Sequence, residues 1–91
     1  MSKQGIEAYK SLKRLLRYRV TTDNVKLWIG HIERIDELYS KDRKELVPVT
    51  SCFAGDVDLS DAKKLAEIVK FAKSEMRAAI KRIKRDNHIN D

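Results

Sequence analysis

The sequence predicts an all-α protein: a three-helix bundle in which an antiparallel helical hairpin packs against a long, coiled-coil-like C-terminal helix. Apolar residues recur three and four positions apart in three separate segments, which is the spacing of one face of an amphipathic helix. Three glycines and one proline are too few for a turn-rich β-sandwich or barrel. Hydrophobic residues make up 42% of the chain, enough for the core of a single helical domain over residues 1–91.

The first two helices are predicted at about residues 3–20 and 23–41. Residues 21–24 between them offer several N-cap side chains and no strong helix former. So short a connection between two amphipathic helices indicates an antiparallel hairpin. Trp28 lies on the apolar stripe of the second helix, and we expect it to anchor the core of the hairpin.

Helical periodicity is lost from residue 42 to residue 59, so the 42–59 segment is predicted to be an irregular loop. Pro48 lacks a backbone N–H and biases Val47 away from the helical region, which favours an extended conformation over residues 46–49. A structureless stretch of this length is unusual in a compact domain. It is therefore a place where function is expected.

The third helix is predicted at about residues 61–86, with Ser60 as its N-cap and a frayed, flexible tail over 87–91. Its apolar residues alternate three and four apart, which forms a coiled-coil-like seam. At ~1.5 Å per residue the helix is roughly 38 Å long, which is longer than the core of so small a domain is expected to cover. The C-terminal part of this seam is predicted to pair with a second copy or a protein partner: Met76, Ala79, Ile80 and Ile83.

The formal net charge is +6, and basic residues concentrate on one face of the first and third helices. Four bases of the third helix recur every seven residues, so they point in much the same direction. A merely solvated helix usually places a base four residues after each glutamate, and neither Glu67 nor Glu75 has one. The candidate phosphate-binding residues on the two helices are Lys10, Arg14, Arg17, Lys63, Lys70, Arg77, Lys81, Lys84 and Arg85.

Two basic faces lying side by side are the electrostatic footprint of binding to the phosphate backbone of DNA or RNA. Base-specific contacts have little support, because Asn and Gln are absent from these faces and aromatic residues are scarce. We therefore predict a small accessory or regulatory protein that binds nucleic acid. Three alternatives stay open: a solvated surface without a partner, an adaptor or inhibitor that docks through the third-helix seam or the 42–59 loop, and a basic helix lying on an anionic membrane.

No motif in the sequence predicts catalysis, a cofactor or a metal site. Cys52 is alone in the chain, and we interpret it as a small buried residue, although a nucleophilic pair with His31 is conceivable. Residues 56–61 and Glu67 have the oxygen spacing of a calcium loop, but Asp61 stands where that loop needs glycine. We expect no enzyme activity. A cytoplasmic location is predicted, with a nuclear one as the alternative, because the N-terminus lacks an apolar signal and no membrane span is evident.

Overall fold

The computed structural model describes residues 3–40 and 44–89. All regular secondary structure in this part of the chain is helical, and it contains no strand. The four α-helices of the described residues are α1 (Lys3–Leu16), α2 (Val25–Ile35), α3 (Val47–Thr50) and α4 (Ala62–Asp86). The all-α prediction is therefore confirmed. The three-helix arrangement is not, because the segment predicted to be a loop contributes a helix of its own.

The first hairpin helix ends earlier than predicted. After Leu16 the backbone closes a tighter turn, in which the N–H of Arg17 donates to the carbonyl of Arg14 at 3.2 Å. Asn24 then organises the connection: its side-chain oxygen accepts from the backbone N–H of Thr21, and its amide nitrogen donates to the carbonyl of Arg19. These bonds make residues 17–24 an ordered connection rather than a continuation of the helix.

The second helix also differs at both ends. It begins at Val25, and after Ile35 it continues as a π-helical turn over Asp36–Ser40 instead of as a regular α-helix. Residue 41, where the predicted helix ended, lies outside the described residues. In a π-helical turn each backbone hydrogen bond spans five residues instead of four. The side chains after it therefore lie on a different face from the one that a regular α-helix would give them.

The segment predicted to be extended forms α3. The backbone N–H groups of Val49 and Thr50 donate to the carbonyl of Leu46 at 3.1 and 3.0 Å. Pro48 stands in the first turn of this helix, where a backbone N–H would have no partner within the helix, so the ring removes no hydrogen bond. Leu46 and Val49 are fully buried. The interpretation of 42–59 as an irregular loop is therefore wrong for this part, while residues 42–43 lie outside the described residues.

A 3-10 turn, Ser51–Phe53, follows α3, and the chain then runs without regular structure to α4. The N-cap of α4 is Asp61, not Ser60. The Asp61 carboxylate accepts from the backbone N–H groups of Lys63 and Lys64 at 3.0 and 3.2 Å, which satisfies two donors that a helix start leaves unpaired. The Ser60 hydroxyl instead donates to the Asp58 carboxylate.

Asp61→Ala is expected to lower the free energy of unfolding by about 1 kcal/mol, because both cap bonds are lost. Ser60→Ala is the neighbouring control, and we expect it to change the free energy of unfolding by less than about 0.5 kcal/mol. Urea denaturation followed by circular dichroism measures both values. A larger loss in Ser60→Ala than in Asp61→Ala would make Ser60 the cap after all.

Helices α1 and α4 pack against each other in antiparallel directions. Near the start of α1, Gly5 backs directly onto the side chain of Asn87: a Cβ atom built on Gly5 would lie 2.7 Å from its Nδ2 and closer still to its Oδ1. Past the end of α1, the Nζ of Lys73 donates to the carbonyl of Tyr18 at 2.7 Å. These two contacts define the register of the pair, so low residue numbers of α1 face high residue numbers of α4.

The apolar face of α4 is covered by the rest of the chain along most of its length. Its buried residues are Leu65, Val69, Ala72, Met76, Ala79 and Ile83. The expectation that α4 is too long for its own core to cover is therefore wrong. The helix lies across the molecule beneath α1, α3 and the 3-10 turn, so several elements share in covering one long face.

Trp28 is buried as predicted, with its ring 6.0 Å from that of Phe53 in an edge-to-face arrangement. Its Nε1 donates to the carbonyl of Leu15 at 3.0 Å. The predicted frayed tail is instead packed as far as the structure describes it. The Nδ2 of Asn87 donates to the hydroxyl of Tyr39 at 2.7 Å, and Ile89 packs against the core. Residues 90–91 lie outside the described part of the chain.

Candidate nucleic-acid interface

A shallow groove with a basic lining lies between α4 and the start of the α1–α2 connection. Its volume is about 360 Å³. Lys70, Lys73 and Arg77 line it from α4, and Arg19 lines it from the connection. No carboxylate is among its lining residues, whose remaining members are small or apolar. We call these four cations the basic groove.

Lys73 holds the connection against α4 through its hydrogen bond to the carbonyl of Tyr18. Partial burial, and to a smaller extent the neighbouring charge of Arg77, lower the pKa of Lys73. Both effects disfavour the charged form of the ammonium group, and a bound anion would counteract them. Neither Lys73 nor Arg19 was among the residues predicted from the sequence, and Arg19 lies beyond the observed end of α1.

The two glutamates of α4 do not line the basic groove. Glu67 lines a separate depression together with Cys52 and Phe71. Burial, and then the nearby charge of Glu75, raise the pKa of the Cys52 thiol, which places Glu75 next to α3 and its 3-10 turn. These glutamates therefore lie toward the 3-10 turn, apart from the groove-lining bases, although Arg82 also extends to that side and donates to the carbonyl of Glu45.

Helix α1 carries a second basic depression, of about 400 Å³, beside the ring of Tyr9. The ammonium group of Lys13 lies 5.2 Å from the centre of that ring, a cation–π distance. Tyr9 belongs to the buried cluster that also contains residues of α4, so the bases around it flank α4. The cations that line this depression are Lys10, Lys13, Arg14 and Arg17.

The two depressions run along the same helix pair. Given the contacts of Gly5 with Asn87 and of Tyr18 with Lys73, Arg14 stands about level with Arg77 along the pair. We call the basic groove and the α1 depression together the basic strip. The structure thus brings five predicted residues into the strip: Lys10, Arg14, Arg17, Lys70 and Arg77.

The remaining predicted cations line neither depression. Lys63 and Lys81 are exposed on α4, whereas Lys84 is half-buried. The Nε of Arg85 lies 3.6 Å from the carboxylate of Asp86, an ion pair at the surface that partly neutralises its charge. These four residues extend the positive field of α4 without being part of the strip.

The predicted self-association residues are core residues of the chain. Met76, Ala79 and Ile83 are fully buried, and only Ile80 keeps partial exposure. All four pack in or against the cluster that contains Leu12 of α1. Because a second copy could reach these side chains only by opening the core, we do not propose the seam as an interface.

The acidic run that resembles a calcium loop has local structural roles. Hydrogen bonds from Ser60, and to a smaller degree the charge of Lys64, lower the pKa of the exposed Asp58, while Asp61 caps α4. Over residues 3–40 and 44–89, no group of three or more His, Cys, Asp or Glu is arranged to hold a metal ion. Within the same residues, no helix is long and apolar enough to cross a membrane.

The described chain is thus an all-α protein with a basic strip beside the contact between its first and last helices. No protein-family model matches it, and no curated protein or solved structure shows significant similarity to it. What defines the candidate site is its own geometry: cations gathered in two depressions along the α1–α4 pair, with Glu67 in a separate depression beside the 3-10 turn.

Proposed function

We propose that this chain is a non-enzymatic accessory or regulatory protein that binds nucleic acid through its backbone phosphates along the basic strip. The absence of carboxylates from the lining of the basic groove carries the proposal. Lys70 and Arg77 line a groove without a carboxylate, while Glu67 lines a different depression. Cations gathered in this way repel one another, and a polyanion relieves the repulsion as it releases its own counterions.

The dimensions of the strip suit a phosphate backbone better than a single small anion. Lys70 and Arg77 are seven residues apart, as are Lys10 and Arg17, so each pair spans ~10 Å of helix. A duplex of that length carries roughly six phosphate charges. Several cations of the strip are therefore able to contact phosphates of one nucleic-acid molecule at once.

Contacts with bases receive no comparable support. Tyr9, the aromatic residue that lines the α1 depression, is buried, and Tyr18 and Phe71 line other depressions. The strip consequently lacks the stacking platform on which sequence-tolerant single-strand binders hold their bases. We therefore expect binding that depends on phosphate charge and varies little with nucleotide sequence.

A salt series tests the proposal. We expect the chain to bind labelled generic DNA and RNA at low salt, with an affinity that falls steeply as salt rises. Replacing Lys70 and Arg77 together by glutamine removes two phosphate contacts, so the slope of log K against log salt is expected to become shallower by about 2. Fluorescence anisotropy of the labelled nucleic acid measures the slope for each protein.

The matched control replaces Lys26 and Lys64 by glutamine, which removes the same amount of charge outside the strip. Lys26 is exposed on α2, and Lys64 lies near Asp58, whose pKa its charge helps to lower. This control is expected to keep the slope of the unmodified chain. An equal change of slope in both double variants would show that net charge alone drives binding, and no binding at low salt would refute the proposal outright.

A further inference from the structure

A second groove, which shares Arg14 with the basic strip but is mainly apolar, lies between α1 and α2. Its volume is about 400 Å³ and its lining is mainly apolar. Trp28 and Leu15, joined by their hydrogen bond, belong to this lining. Tyr18 lines the α1 side and remains substantially exposed. The groove is therefore an open, mainly apolar surface over the buried ring of Trp28.

The α2 wall of this groove is a second stripe, separate from the face that α2 buries. Leu27, His31 and Arg34 follow one another at spacings of four and three residues, which places them on one side of α2. Leu38, in the π-helical turn that continues α2, lines the same groove. Leu27 is 63% exposed and Leu38 is 65% exposed. Two exposed leucines at the ends of such a stripe form the arrangement on which a partner helix packs its own apolar side chains.

The charged residues of the groove are of one sign. Arg14 lines it from α1 and Arg34 lines it from α2, and its lining contains no carboxylate. The acids nearest to Arg34 in sequence are Glu33 of α2 and Asp36 and Glu37 of the π-helical turn, and none of them lines the groove. The two guanidinium groups therefore favour an occupant that brings carboxylates.

We propose that this groove binds an acidic amphipathic helix of a partner protein. Apolar side chains of that helix lie between Leu27 and Leu38, and its carboxylates pair with Arg14 and Arg34. The stripe from Leu27 to Leu38 covers ~16 Å of helix axis, so the matching segment of the partner is about three turns long.

A second copy of the chain fits this groove less well. Pairing two α2 stripes in antiparallel directions would set Arg34 of one copy beside His31 of the other. It would also gather the guanidinium groups of both copies in a lining without carboxylates. The other long helices, α1 and α4, carry the basic strip. An acidic helix from a different protein is the occupant that the charges favour.

The test uses a synthetic helix-forming peptide of about three turns, with leucines on one face and glutamates on the other. A peptide of the same composition in scrambled order is its control. Trp28 is the only tryptophan in the chain and lines the groove, so its emission reports occupation, while anisotropy of the labelled peptide measures affinity. We expect saturable binding of the amphipathic peptide, and binding at least about tenfold weaker for the scrambled one.

Leu38→Asp and Arg34→Glu are each expected to weaken binding of the amphipathic peptide at least about tenfold. Phe71→Asp is the matched control for the first, because Phe71 is 61% exposed on α4 and outside the groove. Lys26→Glu is the matched control for the second, since Lys26 is exposed on α2 but does not line the groove. Both controls are expected to bind the peptide as the unmodified chain does.

Three results would overturn the proposal. Equal binding of the scrambled peptide, or equal loss in the controls, would reduce the effect to general charge attraction. A dimer in sedimentation that Leu38→Asp converts to a monomer would make a second copy the occupant. A generic duplex that changes the Trp28 emission, and whose affinity Leu38→Asp lowers, would assign the groove to nucleic acid.

Discussion

Replacing Ile83 by lysine is expected to lower the free energy of unfolding by more than about 4 kcal/mol, or to prevent folding altogether. Ile83 is fully buried on α4, in the same cluster as Leu12 and Met76. A lysine there either places an ammonium group among apolar side chains or gives up its proton, and both carry a large cost. Urea denaturation followed by circular dichroism measures the loss.

The control for this variant is Phe71→Lys, which adds the same charge at an exposed position of α4. We expect it to change the free energy of unfolding by no more than about 0.5 kcal/mol. Sedimentation of Ile83→Lys adds a second readout. A folded variant of unchanged stability but altered mass would mean that Ile83 packs between chains, as the periodicity of α4 alone had predicted, rather than within one.

Truncating Trp28 to alanine is expected to cost about 3–5 kcal/mol of unfolding free energy, because the surrounding residues cannot close the space the ring leaves. The ring is buried and meets Phe53 edge to face. Its Nε1 also donates to the part-buried carbonyl of Leu15, so the variant loses this bond and leaves that carbonyl with the backbone N–H of Tyr18 as donor. Circular dichroism is the suitable probe, since the variant has lost the only tryptophan.

Trp28→Phe separates the packing of the ring from its hydrogen bond. It keeps most of the apolar volume and removes the donor to Leu15, so a loss of about 1–2 kcal/mol is expected. The difference between the two variants then measures the packing contribution. A loss in Trp28→Ala no greater than that in Trp28→Phe would contradict the role of the ring as the anchor between α1, α2 and the 3-10 turn.

The helices themselves were largely predictable, since their apolar residues repeat at the helical period. Their ends were less so. Whether Pro48 starts a short helix or interrupts an extended segment depends on whether Leu46 and Val49 find a place in the core, and α4 supplies that place. The cap of α4 was misplaced by one residue because Ser60 and Asp61 are both good N-cap residues. Which of them closes the turn depends on the backbone just before the helix.

The candidate site was predictable in part. The seven-residue recurrence of bases on α4 pointed to Lys70 and Arg77, which the basic groove contains. Arg19 joins them only because α1 ends at Leu16 and the connection folds back against Lys73. The spacing of the exposed stripe of α2 is visible in the sequence. The sequence does not show, however, which of the two apolar stripes of this helix is exposed and which is buried.

By itself, the sequence determined that the chain is all-α, and it determined which residues of each long helix share a face. Both depend on a local repeat of about 3.6 residues per turn, and this repeat is present in the order of the residues themselves. Only the tertiary structure decided which apolar face is covered. It placed Met76 and Ile83 in the core and left Leu27 and Leu38 exposed. Periodicity is a property of one helix, whereas burial is a property of the neighbours that pack against it.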